Sequence, residues 1–167
     1  MGSESYYEGL RFADPELLQI FDFNYIQGDS TALDDPSGLL VTEAIAIKYF
    51  GRTDVVGEVV TFANEFDFSI TAVIEDPPLN SHFNSLVIAD QGFNIVAPFK
   101  AKNRLDDYDA DVGDWNNLSL GDMTYVLLPE SLDQAWLQTQ MDRIYETLVP
   151  EDEGDAIASL DVHPLSY

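Results

Sequence analysis

Phe66, Phe68, Ile70, Ala72 and Ile74 alternate with Asp67, Ser69, Thr71 and Val73. A period of two predicts a strand with one buried face. Glu58 to Ala63, just before it, is also rich in β-formers, and Asn64-Glu65 between the two runs makes the pair a hairpin. Asp76-Pro77-Pro78 ends it, because proline lacks the amide that a ladder needs.

The helical period appears three times. In FADPELLQIFDF (12–23), Asp14 is placed as N-cap and Pro15 at the first helical position, where a missing N–H costs nothing. Glu16 suits the positive helix end, and Leu17, Leu18 and Phe21 make one apolar side. EAIAIKYF (43–50) follows Thr42 as cap and ends at Gly51, a residue suited to the left-handed terminating position. Lys48 complements the dipole in its last turn. Ser131 and Gln134 match a capping box ahead of Leu137, Met141, Ile144 and Leu148, which predicts a long amphipathic helix. Strand character at Met123–Leu128 and Ile157–His163 on either side of it makes a strand–helix–strand crossover unit. Tyr6–Phe12, Leu39–Val41 and Ser85–Ala89 read as short strands and 28–38 as a loop, while 90–117 is the least regular stretch.

Composition narrows the function. The chain has 167 residues, enough for one domain or two small subdomains, and 46% are hydrophobic, so a core can form. Seven Lys plus Arg against 31 Asp plus Glu give a formal charge of −24. That balance excludes a nucleic-acid partner and disfavours an anionic membrane face, since both would add repulsion. It also strains the folded state by self-repulsion, which points to work in high salt. There is no cysteine, so disulfides, thiol nucleophiles and cysteine metal sites are excluded. No apolar run reaches the ~18 residues of a membrane span. Met1-Gly2-Ser3 reads as an added leader, so the chain is expected to be a piece of something larger.

Candidate chemistry is thin. Asp107, Asp109 and Asp111 in DDYDADVGD suggest a calcium loop. Counted from Asp107, however, position six is Val112 and position twelve is Leu118, where an EF-hand needs glycine and glutamate. A solvated acidic loop is the favoured reading, and the three acids are the weak cation candidates. The histidines, His82 and His163, stand without a nucleophile-elbow serine and read as structural. Neither a phosphate-binding loop nor a dinucleotide fingerprint is present, so no cofactor is expected. A carboxylate-based extracellular hydrolase or a Ca²⁺-dependent binding domain is the alternative function, and it requires converging acids in a cleft.

Six separated segments carry a resemblance: FADPELLQIFDFNYIQGD, SGLLVTEAIAIKYFG, DVVGEVV, FDFSITAVIEDPPLNSHF, TYVLLPES and VHPLSY. In order and spacing they resemble the MacB-type periplasmic core domain of FtsX-like ABC transporter permeases. The resemblance covers most of residues 11–89 and 115–167. Asp14, Pro15, Phe21, Phe23, Gly28, Thr42, Tyr49, Phe50, Gly51, Gly57, Asp76, Pro78, Ser81, His82, Tyr125, Pro164 and Leu165 stand at its motif positions. Ala72 departs from the family's glycine, and Leu17 and Leu18 replace a phenylalanine pair.

The resemblance implies an α+β fold of two lobes. A porter-like βαβ lobe would take residues 1–12 and 116–167, and an inserted, hairpin-rich α/β (Sabre-like) lobe would take 13–115. The family has a further strand–helix segment ahead of residue 6, so the porter-like lobe is expected to be incomplete and one face of the crossover unit to lack its partner. FADPELLQIFDF would be a lobe-junction helix with Phe21 and Phe23 buried against the hairpin. The implied function is non-catalytic: an extracytoplasmic part of an inner-membrane protein that contacts substrate or adaptor and relays ATP-driven motion. The implied partners are transmembrane helices of the same chain, an ABC ATPase, a second permease copy and a periplasmic adaptor.

Overall fold

The computed structural model describes residues 10–63, 65–79, 81–84, 93–102, 123–149 and 159–165. The chain forms two compact units, Met1–Asp109 and Ala110–Tyr167. In the first, β1 (Leu10–Ala13) leads to α1 (Leu17–Ile20), β2 (Tyr25–Gln27), β3 (Gly38–Thr42), α2 (Glu43–Phe50), β4 (Val59–Phe62), β5 (Phe66–Ile74) and β6 (Ile95–Pro98).

Six strands make one mixed sheet among the described residues, in the order β1-β6-β3-β5-β2, with β4 also on β5. The fold is thus mixed α and β, as expected. β3 and β6 are buried along their whole length, as central strands covered on both faces must be. β1 spans the expected lobe limit at residue 12 and is laddered in parallel to β6, from Leu10 opposite Ile95 to Ala13 opposite Pro98. β2 and β4 share the edge of β5 that β3 leaves open. β4 pairs with its first half, Val59 opposite Ser69, and β2 with its end, Tyr25 opposite Ile74. Between them Gly57 N–H donates to the Ile70 carbonyl, and Ile70 N–H to Glu58.

The hairpin forms where the alternation places it, and its turn carries Ala63 at φ +53°. Its single buried face does not hold. Opposite β3, Leu39 pairs with Ile70 and Leu40 with Ala72, so Thr71 is an extra residue. A one-residue bulge swaps the two faces of a strand. Phe68, Ile70 and Val73 therefore enter one core, while Ala72 and Ile74 enter the other. Thr71 Oγ1 secures the bulge by hydrogen bonds with the carbonyls of Ala32 (2.7 Å) and Leu39 (3.0 Å).

The first core lies under α2, with Leu39, Val41, Ile45, Ala46, Val55 and Phe68 at its centre. The second, on the opposite face, joins Leu18 of α1 and Leu33 of the 28–38 loop to Leu40, Ile74, Phe93 and Val96. α1 is one turn long, and its start is two residues later than the pattern predicts, with Glu16 as N-cap. Asp14 contributes its carbonyl, which accepts from Leu17 N–H at 3.0 Å, so Asp14-Pro15 makes a turn into the helix rather than a side-chain cap.

The second unit holds α3 (Gln134–Leu148). Its cap is Asp133, whose side chain accepts from Trp136 N–H at 2.8 Å, and Ser131 lies outside the helix. Asp133 is better placed because a cap must sit immediately before the first helical residue. The expected apolar face is present but shallow: Leu137 and Met141 are half-buried, Ile144 and Leu148 are exposed, and no residue of α3 is fully buried. Neither 123–128 nor 159–163 is in a strand, so the crossover unit has its helix without a ladder among the described residues. A strand needs a hydrogen-bonded neighbour, and periodicity alone does not supply one. The expected strand at Ser85–Ala89 lies outside the described residues, whereas β6 falls inside the stretch that seemed least regular.

Candidate functional site

The motif positions gather in two places in the first unit. One is the head of α2. Thr42 is the N-cap by backbone geometry, with extended φ and ψ, yet its side chain makes no capping bond. It is 0% exposed, and its Oγ1 has no hydrogen-bond partner among the described residues. The cap comes from Asp76: Ala44 N–H donates to Asp76 Oδ1 at 3.3 Å. A carboxylate there satisfies an amide that the first helical turn leaves open and opposes the helix dipole. The pairing of Thr42 with Ile74, two residues before Asp76, brings it into position. At the other end Gly51 takes φ +68° and its N–H donates to Ile47, as its place in the sequence predicts. Tyr49 and Phe50 lean on the first core.

The other place is an aromatic cluster. Phe21 lies 5.0 Å from Phe83 in an edge-on arrangement and 5.4 Å from His82, ring centre to ring centre. Phe23 stacks on Phe93 at 5.4 Å with the planes 5° apart, and Phe83 stands 4.7 Å from Phe93. Such pairs add specific orientation to burial. Phe21 is 6% exposed, and Phe23 packs on the core that contains Ala72 and Ile74 of β5. Phe23 thus reaches the hairpin's second strand, on the face away from Phe68, whereas Phe21 packs on Phe23, His82 and Phe83. Burial holds the His82 imidazole below its ordinary pKa. Ser81 N–H donates to the Pro78 carbonyl at 2.9 Å, a turn that carries the chain from Asp76 to the cluster. Burial, then the charge of Asp29, pushes the Tyr25 phenol up. The hydroxyl and amide of Thr31 hold Asp29 low.

The glycine at 28 is fixed by space. At φ +81°, a Cβ there would press on the Thr71 carbonyl and lie 2.8 Å from Ala72. Gly57 also takes a positive φ, +93°. Tyr125, Pro164 and Leu165 belong to the second unit, where Tyr125 O–H donates to Met123 Sδ at 3.0 Å. Asp107, Asp109 and Asp111 lie outside the described residues. Among the described ones, no group of three or more His, Asp or Glu is placed to hold a metal ion, and no helix is long and apolar enough to cross a membrane.

Two aromatic partners, Phe83 and Phe93, escape the sequence reading. Phe83 directly follows His82 at the end of FDFSITAVIEDPPLNSHF, whereas Phe93 sits in an aperiodic stretch. Among the described residues, these side chains position backbone and pack rings.

No protein-family model matches the chain, and no curated protein does. Solved structures do. Over 85% of its length the chain is similar to a domain described as part of a permease protein of Porphyromonas gingivalis, with 20% identity and a TM-score of 0.55. It spans 60% of that domain's length. It is also similar, over 60% of its length, to the periplasmic region of MacB from Actinobacillus actinomycetemcomitans, with 14% identity and a TM-score of 0.42. The first likeness shows a shared fold.

Proposed function

We propose that the chain is the extracytoplasmic domain of an ABC transporter permease and has no catalytic activity of its own. It belongs to a longer inner-membrane chain and lies on the periplasmic side. Its partners are the transmembrane helices of that chain, an ABC ATPase subunit or domain, a second permease copy and, where one is used, a periplasmic adaptor. It contacts substrate or adaptor and relays ATP-driven motion across the membrane. The Sabre-like lobe is residues 13–115, and residues 1–12 with 116–167 contribute to the porter-like lobe.

The observation that carries this reading is the likeness in fold to a permease domain across most of the chain. The described motif residues in the first unit support it, because their visible roles are structural. Asp76 caps a helix, Gly51 ends it, and Phe21, Phe23 and His82 pack against one another. A rigid packed body is what transmission of motion requires, since packed cores shift as units rather than deform. Deleting residues 10–165 from the membrane chain, reconstituted with its ATPase, should abolish substrate transport while basal ATP hydrolysis persists. Transport at the full rate without them would refute the reading.

A further inference from the structure

Gln138 of α3 holds the backbone of a separate segment as a strand would. Its Nε2 donates to the Leu160 carbonyl at 3.0 Å, and its Oε1 accepts from Val162 N–H at 2.8 Å. The primary amide therefore replaces the peptide group of a ladder neighbour and meets the main chain on both sides of Asp161. One turn earlier, Gln134 Nε2 donates to the Val162 carbonyl at 2.8 Å. Residues four apart share a helix face, so both glutamines reach the same stretch. Val162 has its N–H and its C=O held by α3. The second Nε2 proton of Gln138 goes to Asp142 Oδ1 at 2.8 Å, which fixes the amide's orientation. An amide is required at 138, because the position must donate and accept at once. Glutamate could accept but not donate, and methionine could do neither.

We infer that Gln138 and Gln134 form a side-chain latch that makes the 159–165 segment and α3 one mechanical body. The segment has no strand partner among the described residues, so these three hydrogen bonds are its visible polar attachment to the helix. The latch stands on this geometry alone, and its use, the passing of displacement between segment and helix, rests on the motion-relaying function proposed above. Gln138 is a positioning residue.

Nuclear magnetic resonance of the isotope-labelled chain tests it. In the wild type a scalar coupling across the hydrogen bond should connect Val162 N with the side-chain carbonyl carbon of Gln138. Gln138→Met should lower protection of the Val162 amide from exchange by about tenfold, the loss of one hydrogen bond. Gln134→Met, which removes the bond to the other side of Val162, should lower it less. No coupling in the wild type, or unchanged Val162 protection in Gln138→Met, overturns the latch, and the wild-type coupling decides the matter even if the variant fails to fold. If the coupling is present and the full permease carrying Gln138→Met still transports at the wild-type rate, the latch stands and the motion-relaying reading fails.

Discussion

Asp76 Oδ1 lies 3.3 Å from the main-chain nitrogen of Ala44, across 32 residues of sequence, and caps the helix that Thr42 only begins. The loop after the hairpin is thereby tied to the layer over the sheet. Asp76→Ala should destabilise the first unit by about 1 kcal/mol, the usual cost of a lost helix cap. Asp76→Asn should cost less, since the amide oxygen can still accept. Urea denaturation followed by circular dichroism measures both.

Phe21 is nearly sealed beside the rings of Phe23, His82 and Phe83. Phe21→Ala should cost ~3–5 kcal/mol if the cavity stays open, and Phe21→Leu appreciably less. A cost under ~1 kcal/mol for Phe21→Ala would mean that the ring is not core.

Gly28 and Gly51 both take positive φ, but their surroundings differ. Gly51→Ala meets nothing within 4 Å and should cost only about 1 kcal/mol for the left-handed backbone. Gly28→Ala adds a collision with Thr71 and Ala72 to the same strain and should cost roughly 3 kcal/mol. Equal effects on the melting temperature would contradict the close packing of β2 on β5.

His82 should make stability depend on pH. Its native pKa is lowered by burial, so the unfolded chain takes up a proton, at about 6.5, before the native chain does. The unfolded state then binds more protons, and stability rises with pH through this window. As pH falls from ~7.5, stability should decline through ~6.5 and the decline should level off below the native pKa. Subtracting the profile of His82→Phe from that of the wild type isolates the effect, because gradual changes in carboxylate repulsion are common to both.

With 24 more negative than positive charges, the chain should also gain stability from screening. Raising salt from ~0.1 M to ~1 M shortens the screening length from about 10 Å to about 3 Å and should raise the melting temperature. An unchanged melting temperature would mean that the acids are spaced too widely to matter.

What was legible in the sequence was local. The hairpin, α2 with Gly51 at its end, and α3 each follow from a short window whose pattern carries its own cause. β2 and β6 did not show, because three or four residues buried by distant neighbours have no period of their own. The pairing of Leu10 with Ile95 is a long-range choice that no window contains. Thr71 looked like any polar residue on an outer face. Its role as a bulge depends on the carbonyls of Ala32 and Leu39 being there to receive its hydroxyl. The motif residues were legible as positions, but their roles were not. Asp76 reads as part of a strand-ending turn until Ala44 is seen beside it.

The chain contains no cysteine, so Ile47→Cys places a unique label within it, at a position 48% exposed on α2. Pulsed electron resonance on the reconstituted permease, one label per copy, would read the distance between the two domains with and without ATP. Relay of motion through the domain predicts a copy-to-copy distance that shifts between the two states. A distance that ATP leaves unchanged, or no dipolar coupling between copies at all, would contradict it.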